Sequence, residues 1–202
     1  MDPTAWNERY AAADLVWSAE PNRFLPPEVA GLAPARALDV ACGEGRNAIW
    51  LARQGWDVVA VDFAEAGVAK GRRLAADAGV DVDWIVADVT TFDPPGHFDL
   101  VIVFYLQLVE AALTATLQRV AAACAPGATV LVVGHHVDNL ERGYGGPTSR
   151  EVLHDPAVIA NTLSGAGLVV ERADLVERPV DTDSGPRVAL DALVRAARPA
   201  AG

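Results

Sequence analysis

The sequence has few of the features that mark secreted or membrane proteins. Its two cysteines, Cys42 and Cys124, are too few for a disulfide framework, and we therefore expect a reducing compartment. No segment reaches 18 uninterrupted apolar residues, and the chain does not start with a basic stretch followed by an apolar one. The sequence thus predicts neither a membrane span nor a signal peptide, and it favours a cytoplasmic location.

Positive charge is also scarce. Sixteen Lys and Arg residues stand against 27 Asp and Glu residues, which gives a formal net charge of −11 at pH 7. A field of that sign repels phosphate backbones and anionic membrane surfaces, and no run of Lys or Arg offsets it. We therefore expect neither a nucleic-acid nor a membrane partner. Separately, we expect a monomer or a homodimer. The length of 202 residues fits one domain.

From about residue 35 onward, short apolar runs alternate with Ala/Leu-rich amphipathic stretches, the pattern of βαβ units that build a parallel sheet. The last two apolar runs are separated by only a short polar loop. Because a parallel crossover needs about a dozen residues or more, these two runs predict an antiparallel hairpin. The predicted strands are 37–40, 57–61, 82–86, 100–104, 129–133, 168–175 and 187–196, and the predicted helices are 47–54, 64–78, 111–125 and 155–165.

The segment before the first strand differs from the rest. Residues 1–34 concentrate aromatic side chains, among them Trp6, Tyr10 and Trp17, without strand alternation. We interpret this segment as an N-terminal helical cap or lid on an α/β core that spans residues 35–198. The two together form a single domain over residues 1–202.

The most informative stretch is a glycine turn between the first strand and the helix that follows. Gly43, Gly45 and Ala48 satisfy the pattern G-x-G-x-x-G/A, in which bare backbone can approach a ligand closely. Asp62 ends the next strand, about 20 residues further on, where a carboxylate can accept hydrogen bonds from ribose hydroxyls. These features alone fit either a nicotinamide dinucleotide or S-adenosylmethionine.

Further acidic residues separate these two ligands. Asp39 lies at the end of the first strand and Glu44 at the start of the helix, where both would repel a pyrophosphate. Asp88 ends the third strand and is placed to accept a hydrogen bond from an adenine amino group. Any one of these residues alone fits a helix cap or a solvated loop equally well. Together they favour a ligand with a cationic methionyl end and a neutral adenosine.

The stretch 38–62, centred on Cys42-Gly43-Glu44-Gly45-Arg46-Asn47, resembles class I S-adenosylmethionine-dependent methyltransferases, and within them the tellurite-resistance and thiopurine methyltransferase-like group. The resemblance implies a Rossmann-like α/β fold. Its seven-stranded, mostly parallel sheet has the order 3-2-1-4-5-7-6 with the last strand antiparallel and helices on both faces. The cofactor would be S-adenosyl-L-methionine and the product S-adenosyl-L-homocysteine (SAH). The expected cofactor-binding residues are Asp39, Ala41, Gly43, Gly45, Arg46, Asn47, Asp62, Phe63, Asp88, Val89 and Phe104.

Methyl transfer is an in-line displacement, so the protein mainly has to place a nucleophile against the methyl group. His135 and His136 follow the fifth strand at its carboxyl end, the edge where open α/β sheets bind ligands, and at most one of them is expected to face the acceptor. A base would help a hydroxyl acceptor but not a low-pKa thiol. Tyr10 is the third catalytic candidate, and we expect His154 at the surface and no metal site. The substrate-binding candidates are Trp6, Trp17, Arg23 and Tyr105.

The sequence thus predicts a methyltransferase whose small-molecule acceptor is a thiol, a metalloid, a hydroxyl or an aromatic heterocycle. After the fourth strand the chain has Phe104-Tyr105-Leu106-Gln107 in place of the Asn/Asp-Pro-Pro-aromatic motif of enzymes that methylate DNA bases. Two alternatives stay open at this point. One is a non-catalytic sensor or partner subunit that binds S-adenosylmethionine, and the other, which Asp39 and Glu44 disfavour, is a nicotinamide-dinucleotide oxidoreductase.

Overall fold

A computed structural model of the chain describes residues 3–12, 15–16 and 18–201. From the first strand to the fifth, helices and strands alternate as the apolar periodicity predicts, except that the third strand is followed directly by the fourth. The strands are β1 (Arg36–Val40), β2 (Asp57–Asp62), β3 (Asp83–Val86), β4 (Phe98–Phe104), β5 (Cys124–His135), β6 (Val169–Val180) and β7 (Arg187–Ala197). The helices are α1 (Pro3–Ala12), α2 (Leu25–Val29), α3 (Arg46–Arg53), α4 (Glu65–Ala78), α5 (Glu110–Ala122), α6 (Asn139–Arg142) and α7 (Pro156–Gly165), with a 3₁₀ turn at Arg150–Val152.

The seven strands form one sheet in the order β3-β2-β1-β4-β5-β7-β6. Strands β1 to β5 pair in parallel, whereas β7 runs antiparallel to both β5 and β6. The predicted order, the antiparallel last strand and the hairpin are therefore confirmed. Strand β6 continues five residues beyond the predicted 168–175 because it lies at the sheet edge, where polar side chains face solvent and do not interrupt pairing.

Both faces of the sheet are covered, so its central strands are apolar along their whole length. On one face, Leu117 of α5 and Leu163 of α7 pack against β4 and β5. On the other face, Leu25 of α2 and Leu51 of α3 pack against β1, β2 and β4. This three-layer arrangement brings the carboxyl ends of β1 and β4 together near the middle of the sheet, where the strand order reverses.

The N-terminal segment lies over the loops at that edge. Helix α1 packs against α4, and Asn7 Oδ1 accepts a hydrogen bond from the backbone N–H of Ala66, in the first turn of α4. Within the described residues, no helix has both the length and the apolar content needed to cross a bilayer.

Candidate functional site

A cavity of about 450 Å³ opens at the carboxyl ends of the central strands, within the size range of small-molecule sites. The glycine turn and the end of β2 form one half of its wall. The residues after β4 and β5 form the other half together with part of β6, and the N-terminal segment closes the top. Of the residues predicted from sequence, the cavity is lined by Trp6, Tyr10, Arg23, Ala41, Gly43, Arg46, Asn47, Asp62, Phe63, Phe104, Tyr105 and His135.

Asp62 connects the two turns on the glycine side of the cavity. Its Oδ2 accepts a hydrogen bond of 2.9 Å from the backbone N–H of Gly43, and its Oδ1 accepts one of 2.8 Å from Ala64. Burial raises the pKa of this carboxyl group, while the backbone hydrogen bonds oppose that rise. Because a carboxylate has about four lone-pair positions, Asp62 can still accept from a ligand hydroxyl.

The two glycines of the turn serve different purposes. A Cβ atom on Gly43 would lie 2.5 Å from the Tyr10 hydroxyl oxygen, so this glycine lets Tyr10 of α1 close over the turn. A Cβ atom on Gly45 would lie 2.1 Å from the Trp84 ring, and Gly45 is not among the cavity-lining residues. Both have a positive φ, 57° and 76°, which glycine adopts at no steric cost. Gly45 therefore packs the turn onto β3.

Among the residues that the structure describes, two other than glycine also have a positive φ, and both line the cavity. Ala41 (φ 61°) follows β1 and Tyr105 (φ 55°) follows β4, the neighbouring strand. A left-handed conformation costs a residue with a side chain about 1–3 kcal/mol. The strained residues therefore lie where the carboxyl ends of β1 and β4 face the cavity.

Five predicted residues lie outside the cavity lining as far as the structure describes the chain: Gly45, Asp39, Asp88, Val89 and His136. Asp39 is buried beneath the glycine turn, and burial and the nearby Asp62 raise its pKa to about 7. Asp88 is exposed at the end of β3, where its Oδ1 accepts hydrogen bonds from the backbone N–H and the hydroxyl of Thr90. Val89 belongs to the hydrophobic core. Trp17 lies outside the described residues.

Glu44 differs from its predicted role. Although it borders the cavity, its carboxylate accepts hydrogen bonds from the backbone N–H of Val16 and forms an ion pair of 3.2 Å with the single lysine, Lys70. Its negative charge therefore holds the N-terminal segment onto α4. Because Lys70 balances this charge, Glu44 would repel a pyrophosphate less than the sequence predicts.

The two adjacent histidines point in different directions. His135 lines the cavity, and His136 Nδ1 accepts a hydrogen bond of 3.0 Å from the backbone N–H of Asp138. The expectation that His154 lies at the surface is wrong, because this side chain is buried and its Nε2 lies 3.0 Å from the carbonyl oxygen of Leu106. Gly134 leaves room for the His154 ring, and burial lowers the pKa of His154 to about 4, so the ring is neutral at pH 7.

The other half of the cavity contains a cluster centred on Asp191, a fully buried residue of β7. Asp191 Oδ2 accepts hydrogen bonds of 2.8 Å from the Tyr105 hydroxyl and 2.6 Å from Arg178 Nε. His135 Nδ1 lies 3.3 Å from Asp191 Oδ1. Burial opposes ionisation of Asp191, but His135, Arg178 and Tyr105 outweigh it and lower the pKa of this carboxyl group. The cluster is therefore a buried carboxylate that accepts hydrogen bonds from two cavity-lining side chains, Tyr105 and Arg178, and lies beside a third, His135.

Sequence reasoning missed Asp191 and Arg178. No short motif contains them, since Tyr105 and Asp191 are 86 residues apart in the chain. One signal was present: Asp191 interrupts the otherwise apolar, buried middle of β7 (residues 189–194), and a charged residue in a buried strand needs a partner. As far as the described residues show, no group of three or more His, Cys, Asp or Glu side chains is placed to hold a metal ion.

Comparisons with known proteins agree with this geometry. Residues 37–127 match a family model described as a methyltransferase domain. A ubiquinone biosynthesis O-methyltransferase of Pseudomonas aeruginosa is 38% identical over 76 residues, which cover 37% of this chain and 33% of that protein. The chain thus spans about a third of the length of this and other curated relatives that it matches.

Two solved structures show the same fold over nearly the whole chain. TehB from Haemophilus influenzae superposes with a TM-score of 0.75 at 13% identity, covering 95% of this chain and 66% of that one. Magnesium protoporphyrin IX methyltransferase from Synechocystis PCC 6803 with bound SAH gives a TM-score of 0.67 at 17% identity, covering 97% and 82%. The chain therefore has the Rossmann-like fold of class I methyltransferases.

Proposed function

We propose that this chain is an S-adenosylmethionine-dependent methyltransferase that acts on a small-molecule acceptor. The proposal rests on the hydrogen bond from the backbone N–H of Gly43 to Asp62 Oδ2. This bond holds the glycine turn beside a carboxylate that can bind a ribose, at one side of the cavity. This link lies within the residues that match the methyltransferase family model. The reducing compartment and the lack of a nucleic-acid partner stay predictions from composition, and the monomeric or homodimeric state also stays a prediction.

The described residues fit the cofactor. Asp62 would hold the ribose, the backbone of the glycine turn and Arg46 would hold the methionyl part, and Phe63 and Phe104 would supply apolar walls. Asp39 would act on the cofactor indirectly, by supporting the glycine turn beneath which its carboxylate lies. Asp88 and Val89 would lie at the adenine end of the cofactor. When bound, S-adenosylmethionine supplies a methyl group on a positively charged sulfur atom.

The Asp191 side of the cavity would receive the acceptor. His135 Nδ1 faces Asp191, so His135 Nε2 is the nitrogen available to take a proton from an acceptor hydroxyl. Tyr105 forms the adjacent wall, with its ring 4.9 Å from that of His135. Tyr10, Trp6 and Arg23 cover the cavity from the N-terminal side and would exclude water. Because His136 is turned toward Asp138, we assign the base to His135.

The assignment of the chain to one group within the methyltransferases is also a proposal. The Gly-x-Gly-Arg-Asn form of residues 43–47 supports a place among the tellurite-resistance and thiopurine methyltransferase-like proteins. A thiol, a metalloid, a hydroxyl and an aromatic heterocycle all stay open as acceptor types, and only the hydroxyl requires His135 as a base.

Two variants test the assignment of roles. Asp62→Ala should weaken S-adenosylmethionine binding at least about tenfold in isothermal titration, because it also leaves the N–H groups of Gly43 and Ala64 unpaired. His135→Ala should keep that affinity and lower turnover of a hydroxyl acceptor by about 10²-fold or more. The matched controls are Asp57→Ala, on the exposed start of the same strand as Asp62, and His97→Ala, at the surface.

Three results would contradict the proposal or its parts. Absence of S-adenosylmethionine binding by the unmodified protein at millimolar concentration would refute it. Binding without SAH formation across a panel of thiols, phenols and heterocycles would favour the sensor alternative. Equal loss of cofactor affinity in Asp62→Ala and His135→Ala would refute the division of roles.

A further inference from the structure

Three neighbours restrain the imidazole ring of His135 at the wall of the cavity. The Tyr105 ring lies beside it, with the two ring centres 4.9 Å apart, and Asp191 Oδ1 lies 3.3 Å from His135 Nδ1. The ring also meets the backbone of Gly146, where an added Cβ would lie 2.9 to 3.1 Å from three of its atoms. His135 therefore has little freedom to turn, although it lines an open cavity.

The backbone at Gly146 belongs to a loop (residues 143–146) that a buried amide ties to the sheet. Asn139 Nδ2 donates a hydrogen bond of 2.8 Å to the carbonyl oxygen of Gly145. Asn139 Oδ1 accepts one of 2.7 Å from the backbone N–H of Leu190, which belongs to β7. Because the buried carboxylate follows Leu190 in the same strand, β7 holds both the loop and this carboxylate against the imidazole ring.

The charges around the ring select one tautomer of His135. A neutral imidazole has one N–H group, and a lone pair at Nδ1 would face the negative charge of Asp191. The proton therefore belongs at Nδ1 and the lone pair at Nε2. Nδ1 makes no well-aligned hydrogen bond to the described residues, but such bonds often tighten only when the substrate binds. The nearby His154 is neutral at pH 7.

The other titratable side chains on this side of the cavity are not suited to take a proton. Tyr105 donates its hydroxyl proton to Asp191, and burial, and then Asp191, raise the pKa of this hydroxyl. Burial also raises the pKa of the Cys42 thiol. Arg178 and Asp191 pair at 2.6 Å and balance each other, so this pair gives no net attraction for an anionic acceptor. The arrangement thus favours an uncharged acceptor and leaves His135 Nε2 to receive its proton.

Only one of the four acceptor types needs a base at this place. A thiol of low pKa is already ionised near neutral pH, a metalloid anion has no proton to lose, and a pyridine-type nitrogen has a free lone pair. A phenol, with a pKa of about 10 like that of tyrosine, keeps its proton at pH 7. The Tyr105 and Phe104 rings supply flat apolar walls for it.

We propose, on the basis of the proposed methyltransferase function, that the acceptor is an uncharged phenol whose proton passes to His135 Nε2, and that Asp191 and Gly146 are the positioning residues of this base. In the step, the phenol oxygen bonds to the methyl carbon, and the bond from that carbon to the sulfur of S-adenosylmethionine breaks. The electron pair of that bond stays on the sulfur, which gives SAH and a methyl ether, and the imidazolium returns its proton to water. Because Arg178 already balances Asp191, the carboxylate acts by orienting the ring.

Asp191→Asn tests the orientation. Because Asp191 Oδ2 accepts from Tyr105 and from Arg178 Nε, the amide oxygen of the variant takes that place and its NH₂ group faces His135 Nδ1. We expect nitrogen NMR at pH 8, assigned by comparison with His135→Gln, to show the proton at Nδ1 in the unmodified protein and at Nε2 in Asp191→Asn. Asp183→Asn, exposed in the turn between β6 and β7, should keep the unmodified tautomer.

Turnover is measured at pH 8 as SAH formation from phenol, 4-methylphenol and 2-naphthol, with thiophenol as the acceptor that needs no base. The unmodified protein should methylate at least one of the three phenols. Asp191→Asn should lower that turnover at least about tenfold and leave SAH affinity and any turnover of thiophenol within about twofold.

Gly146→Ala should have the same effect, because the added methyl group displaces the His135 ring. Gly145→Ala is the matched control. Both glycines have a positive φ, 69° for Gly145 and 81° for Gly146, but a Cβ on Gly145 meets nothing within 4 Å among the described residues. Gly145→Ala should therefore share the backbone strain and keep the turnover.

Turnover of thiophenol alone, no turnover of any of the three phenols by a protein that binds SAH, or a proton at Nε2 in the unmodified protein would each overturn the proposal. Equal losses with phenols and thiophenol in Asp191→Asn would do so too, because they would indicate a purely structural role. If Asp191→Asn fails to fold, the tautomer of the unmodified protein and Gly146→Ala decide the question. Failure to bind SAH would refute the methyltransferase function separately, since the tautomer is measured without it.

Discussion

At the scale of single residues, Asp39 makes the stability of the protein dependent on pH. Burial, and then repulsion from Asp62, raise the pKa of Asp39 from 3.8 to about 7 in the folded state. Between these two values the unfolded chain loses the Asp39 proton and the folded chain keeps it. Rising pH therefore favours unfolding over this range, and the full penalty, roughly 4 kcal/mol as an upper bound, is present above pH 7.

We expect Asp39→Asn to remove this penalty. The variant should have a higher melting temperature than the unmodified protein at pH 8, and the difference should shrink as the pH falls to 5. Thermal unfolding followed by circular dichroism at both pH values measures it. Asp57→Asn, on the exposed start of β2, is the control and should show no such dependence. A lower melting temperature for Asp39→Asn at pH 8 would show that the buried carboxylate stabilises the fold.

At the scale of elements, helix α1 is attached to the core through side chains that reach the glycine turn. Tyr10 lies against Gly43, and Asn7 caps the start of α4 by accepting from the Ala66 N–H. This arrangement predicts that α1 limits the exchange of a bound cofactor, which is the role of a lid.

Asn7→Ala removes the cap, which is worth about 1 kcal/mol, and should speed SAH dissociation by about fivefold. Stopped-flow fluorescence measures the rate, since Trp6 lines the cavity. Glu8→Ala, at an exposed position of the same helix, should leave the rate unchanged. Equal dissociation rates in Asn7→Ala and the unmodified protein would refute a lid role for α1.

The elements themselves could be predicted well from the sequence, and the acceptor side of the cavity could not. Apolar periodicity locates the strands because both faces of the sheet are covered, and the motif at residues 38–62 places Gly43 beside Asp62 because consecutive βα units are neighbours in space. The cluster of Tyr105, Arg178 and Asp191 depends on pairing between β5, β7 and β6. Local patterns do not reveal which residues such long-range pairing brings together.

At the scale of the whole molecule, the proposed function assigns the cofactor to one half of the chain and the acceptor to the other. The family match ends at residue 127, so the glycine turn and Asp62 lie inside it, whereas His135, Arg178 and Asp191 lie outside. The half that would bind the cofactor thus matches the methyltransferase family model. The half that would choose the acceptor is built from the ends of β4 and β5, the last two strands and the N-terminal segment of this chain.

The net charge of −11 acts on ligands before they reach either half. S-adenosylmethionine carries a net charge of +1 because of its sulfonium, whereas SAH is a neutral zwitterion, so the field of the protein should speed association of the first and not of the second. Salt removes this effect, since the Debye length falls from ~30 Å at 0.01 M to ~3 Å at 1 M.

We therefore expect the association rate of S-adenosylmethionine, measured by stopped-flow fluorescence, to fall several-fold between 0.01 M and 1 M potassium chloride, and that of SAH to change less than about twofold. SAH is a matched control, since it lacks only the methyl group and the positive charge. An association rate of S-adenosylmethionine that rises with salt would mean that the arginines at the cavity, and not the acidic surface, determine the field at its entrance. An equal salt dependence for the two ligands would refute steering by the net charge.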